Sequence, residues 1–248
     1  MSLPPELRDW IYELALTDDN GITLVSKTKA FRRTIARSPL QTIEGNYYCR
    51  MRHARQQLGQ KIDKDVEPEA NPLAPNLLAV NKQIYSEGIG YLYKQSIILE
   101  DTMALHTFLA AIGPTNRLQL TDVTVRGWGN GRGTHKAMNV AALMMLAGCT
   151  NLRIFNLDCR IGWLRQPKHL AQQLYRDGHY FFEAYGAANG KKDAAVEVLQ
   201  LDSWNFDRDN WFGWRGSADA LPEKEKFKAS FQKELKRLLG VQDRSVDA

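Results

Sequence analysis

From Ser96 onward the chain alternates between short strand-like runs and amphipathic helical stripes, and this alternation constrains the fold more than any other feature. SIILE (96–100), LQLTDVTVRGW (118–128), NLRIFNLDCRIGW (151–163) and AVEVLQLDSW (195–204) read as strands. Between the first two, Leu105, Phe108, Leu109 and Ile112 recur at helical spacing, with Asp101 as a cap and Gly113-Pro114 as a stop. Thr134 is the expected cap of a helix through Ala147, and Leu170, Leu174, Phe181 and Tyr185 align over 167–185. A last helix is expected from about Pro222 to Leu239, with Phe227, Phe231, Leu235 and Leu238 as its seam. Strands alternating with helices pair in parallel, because each crossover helix returns the chain to the same end of the sheet. The fold class expected is α/β, a short irregular repeat-like layer of parallel strands alternating with helices. Val123, Ile154 and Val198 mark loosely equivalent strand centres, 31 and then 44 residues apart.

The amino-terminal part has a different grain. LPPELRDWIYELAL (3–16) places Leu7, Trp10, Ile11 and Leu14 on one helical stripe, with Pro5 in the first turn, where its missing N–H costs nothing. Turn formers at Asp18-Asp19-Asn20-Gly21 end this helix. A weakly patterned basic stretch follows, closed by the Pro-rich linker EPEANPLAPN (67–76). NLLAVNKQIYSEGIGYLYKQ (76–95) resumes the helical pattern, with Asn76 as the expected cap and Leu77, Val80 and Ile84 on one face. The organisation expected is α+β at the start: a helical region over 1–95 with a basic insertion at about 22–75, then the strand–helix region over 96–248.

Charge and cysteine usage narrow the class. The net charge is +5, but the segment from Ser26 to Lys64 alone carries +8, which leaves −3 for the rest of the chain. Cys49, Cys149 and Cys159 stand at unrelated spacings, which argues for a reducing compartment and against a disulfide-linked partner. The longest uninterrupted apolar run, Val140 to Ala147, falls far short of the roughly 20 residues of a membrane span. No secretory pattern precedes the first helix. An intracellular protein, cytoplasmic or nuclear, with no membrane partner is expected.

LPPELRDWIYELAL, then LLAVNKQIYSEGIGYLY, then strand–helix units with NLRIFNLD, together resemble the fungal F-box-like proteins, with a degenerate leucine-rich-repeat-like region behind the helices. The resemblance covers roughly Leu3 to Leu16 and Asn76 to Asp202. It implies F-box-like helices that dock onto the adaptor of cullin-type ubiquitin ligases, with Leu3, Pro4, Leu7, Ile11 and Leu14 at positions that pack the module and meet the adaptor. It departs from the family in length, since about sixty residues separate the two helices. Loop-closure entropy tolerates such an insertion, growing only logarithmically.

Four features compete as sites. The stripe Leu7, Trp10, Ile11 and Leu14 either packs on the chain's own second helix or enters a groove on a partner. The basic segment, through Arg32, Arg33, Arg50, Arg52 and Arg55 with Phe31, Tyr47 and Tyr48 nearby, has the chemistry to meet nucleic acid or an acidic partner, although no nucleic-acid-binding motif accompanies it. Trp128, Trp163 and Trp204 each end a strand, and with Trp211, Trp214, Arg126 and Arg160 they are the expected target-binding patch at the carboxyl edge of the layer. The loop GWGNGRGTHK (127–136) sits where phosphate loops occur, but no frame in it satisfies G-x-G-x-x-G or G-x-x-x-x-G-K-[ST]. His53, His106, His135, His169 and His179 lack a metal-ligand spacing, and no nucleophile elbow is present. A protein-interaction module is therefore expected, as a ligase substrate-recognition subunit; the alternatives are a non-ligase scaffold or a nucleic-acid-binding protein acting through the basic insertion, with no catalytic residue, metal or cofactor.

Overall fold

The computed structural model describes residues 3–38, 72–129, 134–161, 166–206 and 221–241. Helix α1 (Pro5–Leu16) leads into a hairpin of β1 (Ile22–Lys29) and β2 (Arg32–Arg37). A 3₁₀ turn (Pro75–Ala79) and helix α2 (Lys82–Tyr93) precede β3 (Ser96–Leu99). Then come α3 (Thr102–Arg117), β4 (Asp122–Val125), α4 (Thr134–Leu146), β5 (Ile154–Leu157), α5 (Pro167–Ala188), the short α6 (Ala194–Val198), β6 (Leu199–Leu201) and, after a 3₁₀ turn at Ser203–Phe206, α7 (Leu221–Leu238).

These strands form one sheet in the order β2-β1-β3-β4-β5-β6, parallel throughout except for the antiparallel β2. From β3 onward each connection moves one strand over in the same direction. With right-handed crossovers that rule lays the helices in one row on one face, and α3 packs on α4, α4 on α5 and α5 on α7. Alternation along the strands matches: Ile97, Leu99, Val123, Val125, Phe155 and Leu157 are buried beneath the helices, while Ile98, Thr124 and Asn156 lie in register on the opposite face, half-buried. The protein is an α/β layer.

Several sequence expectations change. The segment over 22–37 is not an insertion into a helical region. Ile22 and Leu24 pair with Ile97 and Leu99 and enter the main core, so β1 and β2 are the first two strands of the layer. Asn81, not Asn76, caps α2, its Oδ1 accepting the Ile84 N–H at 2.8 Å. Gly113 turns left-handed (φ 75°) and kinks α3, but the helical turns resume to Arg117 instead of stopping at Pro114. The long strands shrink to three or four residues, and 194–198 is helical. The register pairs Val123 with Phe155 and Phe155 with Leu199, one residue off the spacing from Ile154 and Val198. Since a one-residue slip exchanges the two faces, Phe155 is in the core and Ile154 is not. Asp101 does cap α3, accepting the Ala104 N–H at 2.7 Å.

Two asparagines that sequence reading passes over hold the loops at the carboxyl ends of the strands. Asn139 on α4, fully buried, accepts from the Gly129 N–H and donates to the Gly129 carbonyl, both at 3.0 Å, while the Thr102 hydroxyl donates to its Oδ1 at 2.9 Å. Asn205 likewise accepts the Ile161 N–H and donates to the Cys159 carbonyl, both at 2.8 Å. Gly129 and Ile161 stand at the same distance beyond the paired strand ends Val125 and Leu157. The same amide device serves both loops because each must return over the core without ladder partners of its own.

Cys149 and Cys159 are buried in this core. Burial pushes the Cys149 thiol up to about 12 against the opposing pull of Arg117, and burial raises Cys159 as well, helped by Asp158 and Asp202. Neither forms a useful thiolate near neutrality. The expected outcome with iodoacetamide at pH 8 is that both remain unmodified in the native protein and become alkylated in denaturant, as read by peptide mass spectrometry.

Candidate docking face on the first helix

Helix α1 starts at Pro5 because a fixed φ suits the first turn. On sequence its apolar stripe of Leu7, Trp10, Ile11 and Leu14 either packs on α2 or meets a partner. The structure turns it outward. Tyr12 and Leu16 are its buried residues, and they join Leu78 and Ile84 in a small cluster separate from the main core. Leu3, Leu7, Trp10, Ile11 and Leu14 all face outward, Trp10 68% exposed and Leu14 81%.

A polar latch fixes this orientation. The Arg8 guanidinium grips the Glu87 carboxylate with Nε at 2.9 Å and a second nitrogen at 3.2 Å. The Tyr12 hydroxyl donates to the same carboxylate at 2.9 Å, and Gln83 donates at 3.0 Å. Four donors on one carboxylate from two helices define a single rotation of α1, since a bidentate guanidinium pair is directional where apolar contact is not. Gly88 permits the close approach: a Cβ there would lie 2.9 Å from a Leu78 methyl and 3.2 Å from a Leu16 methyl. Gln95 ties the carboxyl ends, its amide donating to the Leu16, Tyr91 and Leu92 carbonyls at 2.7, 3.2 and 3.0 Å and accepting the Asp18 N–H at 2.9 Å. Asp18 in turn pairs with Arg37 on β2, so the helical pair is fastened to the sheet edge.

Hydrogen bonds from Gln83 and Tyr12, followed by the Arg8 contact, hold the Glu87 carboxyl below its ordinary value, while burial and then Glu87 push the Tyr12 phenol up. A carboxyl lowered by folding contributes stability above its unfolded value and loses it as pH falls through the folded one. The latch is therefore intact at neutral pH and is lost in acid, beginning below about 4.5. Comparing Glu87→Gln with wild type by thermal melts across pH checks this. The wild-type advantage is expected to be largest near neutrality and to vanish in acid. An advantage that persists at low pH would remove the carboxylate from the account.

The other sequence-predicted residues fare differently. Trp128 is buried in the main core, its indole N–H without a hydrogen-bond partner among the described residues, so it is a core ring and not part of an exposed patch. It stands three residues beyond β4, as Trp204 does beyond β6, whereas Trp163 stands six beyond β5. Arg160, not Trp163, occupies the equivalent place. Arg126 lies beside Asp158, the residue after β5, Nε to Oδ2 3.6 Å, and Arg160 is half-buried. Arg32 and Arg33 are exposed on the hairpin. Trp163, Trp211, Trp214, Arg50, Arg52, Arg55, Tyr47, Tyr48 and the side chains of Trp204 and His135 lie outside the described residues. Pro4 precedes α1 and is exposed. Among the described residues no group of three or more His, Cys, Asp and Glu side chains is placed to hold a metal ion, and no helix is long and apolar enough to cross a membrane.

Sequence reading missed Arg8, Glu87 and Gln95 because each is unremarkable on a helix by itself; only Glu87 recurring one turn after Gln83 gives a local hint. The fold and this site define an α/β layer bearing a latched helical pair with an outward apolar face. The chain belongs to the family described as a domain of unknown function, DUF7730, whose model matches residues 1–127. That span runs from α1 to the end of β4, taking in the latch and the first strand–helix–strand unit. No curated protein and no solved structure matches the chain.

Proposed function

We propose that this protein is a protein-interaction module that docks through the outward face of α1 into an apolar groove of a partner. The observation that carries the reading is the inversion of α1: its polar residues Arg8 and Tyr12 face inward on Glu87, while Leu7, Trp10, Ile11 and Leu14 face solvent. Exposed apolar side chains at i, i+3, i+4 and i+7 are the anchors of helix-in-groove recognition. Twelve helical residues span ~18 Å, enough to lie along such a groove. The partner is the adaptor of cullin-type ubiquitin ligases, a reading supported by the F-box-like resemblance of 3–16 and 76–95 and by exposure of Leu3, Pro4, Leu7, Ile11 and Leu14. In this reading the rest of the layer presents a target to the ligase.

Co-elution with the purified adaptor on gel filtration tests it. The expected result is a 1:1 complex with wild type and none with Leu7→Glu, which remains folded by circular dichroism. A well-folded wild type that never co-elutes would remove the ligase partner. Equal co-elution of the variant would remove α1 as the contact.

A further inference from the structure

The β1–β2 hairpin breaks two local rules at once. Its two-residue turn is Ala30-Phe31, and both residues are left-handed (φ 46° and 63°), where Asn-Gly is the sequence such a turn favours. Lys29 sits directly opposite Arg32, a like-charge cross-strand pair. Sequences that defy local preference without a packing reason tend to do so at functional places. Among the described residues no packing reason is present, for the Phe31 ring is fully exposed.

The geometry gives these residues a common direction. β1 pairs with β3 only through Leu24, so the five residues from Val25 to Lys29, with their β2 partners, extend past the parallel strands by ~17 Å. Alternation puts Lys27, Lys29 and Arg32 on the sheet face away from the helices, and among the described residues none of the three has a carboxylate partner. Arg33 and Ile35 point the other way, Arg33 touching the Met103 sulfur and Ile35 packing on the core, which props the arm against α3. The arm thus presents one aromatic ring at its tip and three cations along one face, with Thr34 among them.

We infer that this arm is a binding site for single-stranded nucleic acid, with Phe31 stacking on a base and Lys27, Lys29 and Arg32 contacting the flanking phosphates. A planar ring beside a row of cations is the combination that holds a strand without reading its sequence. An anionic bilayer is the weaker fit, because Phe31 is the arm's one exposed large apolar group and the residues nearest it on that face, Lys29, Arg32, Lys27 and Thr34, are hydrogen-bonding and charged. The inference is independent of α1 docking, and Leu7→Glu leaves it untouched.

Fluorescence anisotropy of labelled dT12 and U12 with the full chain at low salt, repeated over a salt series, tests it. Three phosphate contacts predict a log–log salt slope of about −2, and Lys29→Gln reduces its magnitude by about 0.7. Phe31→Ala is expected to weaken binding about tenfold, and Phe31→Tyr to retain it. Phe31→Gly serves as the folding control, since it removes the ring while relieving the left-handed turn; it is expected to melt higher than wild type and bind like Phe31→Ala. Absence of oligonucleotide binding at low salt, wild-type affinity in Phe31→Ala, or binding to phosphatidylserine vesicles without binding to oligonucleotide would each overturn the inference.

Discussion

Replacing Asn139 with leucine is expected to cost about 3–5 kcal/mol, lowering the melting temperature by about 10 °C or more. The side chain is fully buried and serves three groups at once: the Thr102 hydroxyl and the N–H and carbonyl of Gly129. Leucine is similar in size, so the loss is not mainly one of volume. It comes from the buried Thr102 hydroxyl and the half-buried N–H and carbonyl of Gly129 left without partners, each costing up to roughly 1–3 kcal/mol. Asn139→Asp is a sharper test. A carboxylate accepts from Thr102 and Gly129 but cannot donate to the Gly129 carbonyl, and it buries a charge. Its melting temperature is expected to recover toward wild type as the pH is lowered to protonate it. A thermal scan within a degree or two of wild type for Asn139→Leu would show that the loop holds its place without the clamp.

The second large effect is one of binding without stability. Leu7→Glu combined with Leu14→Glu places two charges on the outward face of α1, and the expected result is loss of the partner complex by a factor of about a hundred or more, with thermal stability within about 0.5 kcal/mol of wild type. Both positions are solvent-exposed, and glutamate is a good helix former, so the fold has little to lose. Arg8→Ala is the informative contrast. It removes the bidentate hold on Glu87 and frees α1 to rotate, so it is expected to destabilise the helical pair and weaken the complex indirectly. If the double variant melted well below wild type, the stripe would be a packing surface after all. Calorimetry for affinity and circular dichroism for melting separate the two.

What could be read locally was read from periodicity and caps. The alternation from Ser96 onward, the α/β class and the Asp101 cap follow from a few neighbouring residues each, because helical stripes and N-caps are short-range physics. The hairpin at 22–37 escaped because its outer half is polar and basic, its turn lacks Asn-Gly, and its place in the sheet rests on pairing Ile22 with Ile97, a contact between residues far apart in the chain. Register escaped for the same reason, and with it the assignment of Trp128 to the core.

The candidate site shows the division most clearly. By itself the sequence determined that α1 is a helix with an apolar stripe and that the region behind it is a parallel strand–helix layer. Which way the stripe faces was decided only in three dimensions, by Arg8 and Tyr12 meeting Glu87 across more than seventy residues and by Gly88 letting the helices close. A hydrophobic period reports that one side of a helix is apolar. A directional, bidentate ionic contact to a residue far along the chain reports which side is turned toward the protein, and that information is absent from any local window.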